Sequence, residues 1–222
     1  MTEKSEKKRK GYTMTAEQIQ VNTHSSIRIG GSKVVYFDPF KIGAETHDAD
    51  VICLTHAHFD HFDPESIEKI RKEQTIYVAP VSMAGELASF AGEDQIHLLT
   101  PGMELALDAL VIRTVPAYNK VKPFHPKRSK LLGYLLEMDG TIYYIAGDTD
   151  AVKDLYDIRC DIALVPIGGT YTMTAEEAAG LINRIRPKAV IPTHYGSVVG
   201  KKEDANAFAA AVDGDIAVVI RL

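Results

Sequence analysis

Residues 55–62 read Thr-His-Ala-His-Phe-Asp-His-Phe, which places three of the chain's eight histidines and one aspartate within six positions. Neutral imidazole and carboxylate are the donors that zinc and similar divalent ions take. A lone histidine in such a loop is most often an ordinary polar residue. Four donors so close together, His56, His58, Asp60 and His61, instead predict a metal centre. The cluster follows the apolar run Val51-Ile52-Cys53-Leu54, the pattern of a buried strand that ends in a loop.

A sheet holds side chains most rigidly where its strands run out into loops. Other apolar runs end in the same manner. Residues 141–146 lead into Gly147-Asp148-Thr149-Asp150, and residues 189–191 into Pro192-Thr193-His194-Tyr195-Gly196. Residues 110–115 end in Pro116-Ala117-Tyr118-Asn119, and residues 162–166 in Ile167-Gly168-Gly169-Thr170. Five such ends around one pocket would bring Asp148 and His194 to the histidine cluster. Alone, Asp148 reads as a turn-forming aspartate and His194 as a partly buried histidine. Beside the cluster both become candidate ligands. His56 and His58, with Asn119 or a water, can make one ion site, and Asp60, His61 and His194 a second, with the two oxygens of Asp148 between them. Two divalent ions about 3.5–4 Å apart bring the pKa of a bound water toward about 7 and polarise the bond it attacks, so no serine or cysteine nucleophile is needed.

The order His56-x-His58-x-Asp60-His61, then Gly147-Asp148, then His194, resembles the metallo-β-lactamase superfamily over the chain from about Val21 to Leu222. The closer resemblance is to its small metal-dependent hydrolases, which include ascorbate-6-phosphate lactonase-like and, more distantly, N-acylphosphatidylethanolamine phospholipase D-like proteins. It is carried by Thr23-His24-Ser25-Ser26, Asp38-Pro39-Phe40, the metal cluster, Ile145-Ala146-Gly147-Asp148-Thr149 and Pro192-Thr193-His194-Tyr195-Gly196. The resemblance implies an α/β fold, a four-layer αββα sandwich with the metals at one edge of its two sheets. It implies two divalent ions, zinc or alternatively manganese, and a metal-bound hydroxide that hydrolyses a small ester, lactone or phosphoester. Asp60 would be both a ligand and the group that orients or deprotonates the water, and His24 would lie near the pocket. His24 or His125 would stabilise charge developing on the substrate.

Asn119 stands where the family usually carries a further histidine ligand. Asparagine is a weaker oxygen donor, suited to harder ions. His125, six residues on, is the alternative. Asn119, His125 and Tyr195 are therefore candidates for a substitute ligand or a substrate contact. Related di-iron redox proteins usually carry glutamate at the position of His58, so histidine there favours hydrolysis.

Composition narrows the function further. A chain of 222 residues, 45% hydrophobic and 25% charged, suits one soluble globular domain. The expected division is a charged tail over residues 1–11 and a single metallo-hydrolase domain over 12–222. A net charge of -5 gives no electrostatic footprint for a polyanion. A small-molecule substrate is expected rather than nucleic acid, with a nuclease of the same superfamily or a non-catalytic metal-binding protein as alternatives. The loop of residues 119–131 nonetheless carries Lys120, Lys122, Lys127, Arg128 and Lys130, a candidate cationic lip for an anionic substrate. Two cysteines outside any C-x-x-C pair fit a reducing cytoplasm, and no run is long and apolar enough for a signal or a membrane span.

The elements that must position these residues are ten short strands interleaved with helices. The strands fall at residues 27–29, 33–37, 51–54, 76–79, 110–115, 131–138, 141–146, 162–166, 189–191 and 216–221. Asp139-Gly140 predicts a two-residue hairpin turn. Asp63-Pro64 opens one helix, residues 80–91 form another, Thr174-Ala175-Glu176-Glu177 is a capping box for a third, and residues 202–212 form the last. Tyr-Thr-Met-Thr, followed by Ala-Glu, occurs at Tyr12 and again at Tyr171, and each copy reads as a helix start.

Overall fold

The structure, a computed structural model, describes residues 18–222. The tail of residues 1–11 and the Tyr12 copy of the tetrapeptide lie outside the described residues. The first sheet runs in chain order through β1 (Ile19–Thr23), β2 (Ser26–Gly30), β3 (Val34–Phe37), β4 (Ala49–Cys53), β5 (Arg71–Pro80) and β6 (Ile96–Leu99). Strands β1 to β3 pair antiparallel, and β3 to β6 pair parallel. The second sheet holds β7 (Glu104–Leu107), β8 (Leu110–Ala117), β9 (Leu131–Met138), β10 (Thr141–Ile145), β11 (Ile162–Pro166), β12 (Ala189–Thr193) and β13 (Ala217–Val218), also neighbours in chain order. Its first four strands form an antiparallel meander, and β10 to β13 are parallel. The helices are α1 (Pro64–Ile70), α2 (Ala84–Leu87), α3 (Ala175–Ile185) and α4 (Asp204–Ala211).

Strand alternation sorts the apolar residues into three clusters. Val51 and Cys53 of β4 meet Tyr134, Leu136 and Ile145 in the cluster between the sheets. Ile52 and Leu54 point the other way, onto Ile67 and Ile70 of α1 and Leu87 of α2. Tyr144, Val165 and Val190 leave the opposite face of the second sheet to pack under α3 and α4. This makes the helix–sheet–sheet–helix sandwich. Strands covered on both faces read as continuous apolar runs, as β11 and β12 do with every residue buried.

Topology gathers the candidate residues at one edge. The parallel strands β3, β4, β10, β11 and β12 all end there, as does β8, which runs antiparallel to β9 and so in the direction of β10. The turn between β1 and β2, which contains His24, lies at the same edge because β2 starts where β3 ends. Ligands in parallel sheets collect at these carboxyl ends. Three hydrogen-bond contacts pin the sheets together just behind this edge. The Leu132 amide donates to the Thr55 carbonyl (3.2 Å). The buried Tyr134 hydroxyl donates to the carbonyls of Leu54 and Val78.

Several local expectations are met by side-chain geometry. The Asp63 carboxylate caps α1, with Pro64 in its first turn. Thr174 and Glu177 form the reciprocal capping box of α3. Asp139 and Gly140 both take positive φ, 52° and 74°, as a two-residue hairpin turn requires. Other expectations fail for physical reasons. β1, β6 and β7 have no counterpart in the sequence reading, since each is a sheet edge, with alternate residues covered in β1 and β7 and most residues only partly covered in β6. The helix expected over residues 80–91 shrinks to a 3-10 turn at Val81–Met83 followed by the single turn of α2. Neither has a side-chain cap, and β5 runs on to Pro80. The last strand shortens from residues 216–221 to Ala217–Val218. None of the helices is long and apolar enough to cross a membrane among the described residues.

Tyr134→Phe leaves the Leu54 carbonyl without this buried donor. The variant should lose about 1–3 kcal/mol of unfolding free energy, read from the urea midpoint, and an unchanged midpoint would contradict this role.

Candidate metal centre

Two groups of donors meet at the edge. In the first, His58 Nδ1 lies 3.0 Å from His56 Nε2 and 3.2 Å from His125 Nε2. In the second, Asp60, His61, His194 and His24 each bring a ligand atom within 4.8 Å of the others. Asp148 stands between the groups. Its Oδ1 lies 3.3 Å from His61 Nε2 and 3.2 Å from His194 Nε2. Its Oδ2 lies 3.5 Å from His125 Nε2 and 4.0 Å from His56 Nε2. All but His58 are buried.

Partners behind the rings fix which nitrogens face inward. Thr55 Oγ1 donates to Asp38 Oδ2 (2.7 Å), so toward His56 Nδ1 (2.9 Å) it can only accept. That places the His56 proton on Nδ1 and leaves the Nε2 lone pair facing the cluster. His61 Nδ1 donates to Asp38 Oδ2 (2.7 Å), which likewise frees His61 Nε2. Asp38 Oδ1 accepts from the Thr55 amide (2.8 Å), completing a rigid carboxylate clamp behind both rings. Such carboxylate–histidine pairs orient metal ligands and raise their basicity.

The donor set fits a divalent cation. His61 Nε2, His194 Nε2 and Asp148 Oδ1 are buried, converge, and have no hydrogen-bond partner in the protein. In the first group, two ring lone pairs converge on a third histidine at hydrogen-bonding distance, and only one of them can receive its single proton. Nitrogens about 2.0–2.1 Å from a tetrahedral zinc lie roughly 3.3–3.4 Å apart, close to these spacings.

The charges agree with this arrangement. Burial alone would raise the Asp148 carboxyl, yet His194 and His61 hold it well below the usual carboxylate range. Burial opposes charge on His61 as well, but Asp148 and Asp38 outweigh it and push His61 up to about 9. Burial, reinforced by charge on His61, drives His56 well below an ordinary histidine. Burial likewise lowers His24 and His125. In the metal-free chain one proton therefore concentrates on His61, at a place where a cation would replace it.

The other candidates fall as follows. His24 lies in the β1–β2 turn, with Nε2 3.0 Å from Asp60 Oδ2 and Nδ1 3.3 Å from Ser197 Oγ. Of the two residues weighed for the remaining ligand place, His125 reaches the cluster. Asn119 turns its amide away, onto Asp150 and the Tyr171 carbonyl. Tyr195 lies in the apolar cluster under α3 and α4, not beside the histidines. In the cationic loop, Lys122 pairs with Asp150 and Lys127 with Asp154, while Lys120, Arg128 and Lys130 are exposed. Phe59, Val121 and Phe124, each next to or near a cluster histidine in sequence, are exposed apolar side chains at 68%, 91% and 48%.

Asp38, Thr55, Asp150 and Ser197 were not singled out in the sequence as site residues. For Asp38 a signal existed. It is the polar residue that ends β3, and the strand-end argument applies to it as it does to His56.

A family model described as a β-lactamase superfamily domain matches residues 18–194. A UPF0173 metal-dependent hydrolase of Thermococcus onnurineus is 33% identical over 214 residues, which cover 90% of this chain and 93% of the relative. One of Staphylococcus aureus is 30% identical over 208 residues, covering 86% and 90%. Among solved structures, a candidate metal-dependent hydrolase of Parabacteroides distasonis aligns with a TM-score of 0.78 at 30% identity over 91% of each chain. A metallo hydrolase of Ignicoccus hospitalis shares the fold, with a TM-score of 0.73 at 23% identity over 91% of this chain and 93% of that one. The chain belongs to the β-lactamase superfamily, in its branch of UPF0173 metal-dependent hydrolases.

Asp38→Asn cannot accept from both Thr55 and His61 on the same oxygen pair. It should weaken ion binding about 10- to 100-fold in a chelator competition while the circular dichroism spectrum is retained, and unchanged binding would refute the clamp.

The protonation pattern sets a second expectation, for the metal-free protein. The folded value of His61 lies above its ordinary 6.5, so its contribution to stability is complete below pH 6.5 and is lost as pH rises to about 9. His56, His24 and His125 are shifted the other way, so their contribution is present above the ordinary value and is lost as pH falls through it. Urea midpoints of chelated protein should fall on the alkaline side, and His61→Gln should flatten that limb. An alkaline limb identical in wild type and variant would contradict the assignment.

Proposed function

We propose that the chain hydrolyses a small anionic ester, lactone or phosphoester with two divalent ions, zinc or alternatively manganese. His56, His58 and His125 would hold one ion, Asp60, His61 and His194 the other, and Asp148 both. The observation that carries this reading is the division of Asp148, with Oδ1 toward His61 and His194 and Oδ2 toward His125 and His56. Bound ions would lower the pKa of water toward neutrality and polarise the bond under attack.

The chain's own residues supply the rest. Asp60 orients the attacking water and takes up its proton. His24 Nε2 holds Asp60 Oδ2 in place at 3.0 Å, and the Ser197 hydroxyl holds the far side of the His24 ring. His24 thus acts through Asp60 rather than on the substrate. Lys120, Arg128 and Lys130 offer exposed positive charge on the loop that carries His125, and Phe59, Val121 and Phe124 offer exposed apolar surface. Together they favour a substrate with an anionic group and an adjoining apolar portion. The net charge of -5 favours a small molecule over nucleic acid, and the unpaired Cys53 and Cys160 favour a reducing cytoplasm.

Assays of zinc- and manganese-loaded protein on paired anionic and neutral esters, lactones and phosphodiesters test the reading. Asp60→Ala should lower kcat about 10²–10⁴-fold with the fold retained. Lys120→Ser with Arg128→Ser should raise KM for the anionic substrate and leave the neutral one unchanged. Full turnover in Asp60→Ala would sink the mechanism, and equal effects on both substrates would remove the anionic lip.

A further inference from the structure

The residues that hold His125 form a continuous chain of contacts that reaches back to a partly buried ion pair. His125 Nδ1 lies 3.0 Å from Asn119 Oδ1. The Asn119 amide nitrogen donates to Asp150 Oδ1 (3.1 Å) and to the Tyr171 carbonyl (2.9 Å), which fixes the direction of the amide. With its nitrogen so engaged, Asn119 presents only oxygen to His125. The His125 proton must then sit on Nδ1, and the Nε2 lone pair faces His58 and Asp148. Asp150 is held in turn by the Lys122 ammonium (2.7 Å) and the Lys120 amide (2.8 Å). Lys122 also donates to the Thr172 carbonyl (2.6 Å). The Asn119 amide to His125 carbonyl bond (2.8 Å) closes the loop on itself.

Asp148 and Asp150 leave the same short segment after β10. One carboxylate enters the cluster, and the other anchors the loop that brings His125 to it. Both are buried, at 3% and 6% exposure. A buried carboxylate is costly unless it is paired and hydrogen-bonded, and Asp150 meets that condition through Lys122, Lys120 and Asn119. Its carboxyl illustrates the balance. Burial would raise it, and the Lys122 bond lowers it below the ordinary value.

We propose that Asn119, fixed by the Asp150–Lys122 pair, is the positioning residue that sets the tautomer and ring direction of His125 and so completes one of the two ion sites. Asn119 occupies the strand-end place of a ligand but works one bond further out. The inference rests on the reading of His125 as a ligand.

Cobalt(II) titration of the full chain, in competition with a chelator, tests it without any substrate. Wild-type protein should bind in two resolved steps, and His125→Ala should lose one. Asn119→Ala and Asp150→Asn should weaken that same step about 10- to 100-fold and leave the other within threefold. The double variant Asn119→Ala/Asp150→Asn should be no weaker than the worse single variant, because both act through one ring. A general structural role would instead lower both steps together, with a matching fall in the unfolding temperature of chelated protein. If His125→Ala loses a step but Asn119→Ala does not, the positioning role is overturned while the ligand reading stands. If His125→Ala keeps both steps, the ligand reading fails and the inference with it.

Discussion

The structure depends on one buried charge. Asp148 is 3% exposed and sits among imidazoles supplied by both sheets. Removing a carboxylate from water costs several kcal/mol unless opposite charge and donors surround it. In the metal-free chain His61 and His194, both beside Asp148 Oδ1, hold it charged. Each of His56, His61 and His125 has its outward nitrogen engaged by Thr55, Asp38 or Asn119, so a cation that displaces the His61 proton meets three inward lone pairs. This arrangement concentrates lone pairs around a carboxylate, and a divalent cation is the species it suits.

Keeping that arrangement requires the two sheets to stay in register at one edge. The loop after β4 carries His56, His58, Asp60 and His61, while Asp148, His194 and His125 come from the second sheet. Tyr134 and the Leu132–Thr55 backbone bond tie the sheets directly behind the site. Backbone strain is present at the same edge. His24, Asp38 and His194 take φ of 55°, 45° and 58°, the left-handed region that costs a non-glycine residue on the order of 1 kcal/mol or more. The surrounding hydrogen bonds hold them there, including that from the His194 amide to the His24 carbonyl (2.9 Å). Gly147, at φ 63°, removes a further clash, since a Cβ there would lie 2.8 Å from the Leu132 carbonyl oxygen.

Much of this was legible in the sequence, for a physical reason. Strands buried on both faces are continuous apolar runs, and their polar ends are abrupt, so His56, Asp148 and His194 could be assigned to one edge before their distances were known. Caps and turns at Asp63, Thr174 and Asp139-Gly140 were legible because their chemistry is local. The edge strands β1 and β7 were not, since half-covered strands carry a weak pattern. Nor could spacing decide between Asn119 and His125. That depended on how a loop folds back, and the fold-back is set by Asp150 and Lys122, long-range partners with no sequence signature. Tyr195 shows the opposite error, a residue beside a candidate ligand whose side chain belongs to the other face of the sheet.

The most direct measurement is anomalous diffraction from crystals of zinc- or manganese-loaded protein, with data collected on either side of the metal absorption edge. The account expects two peaks about 3.5–4 Å apart, one against His56, His58 and His125 and the other against Asp60, His61 and His194, with an oxygen of Asp148 on each. A single peak, or a peak coordinated by Asn119 in place of His125, would contradict it.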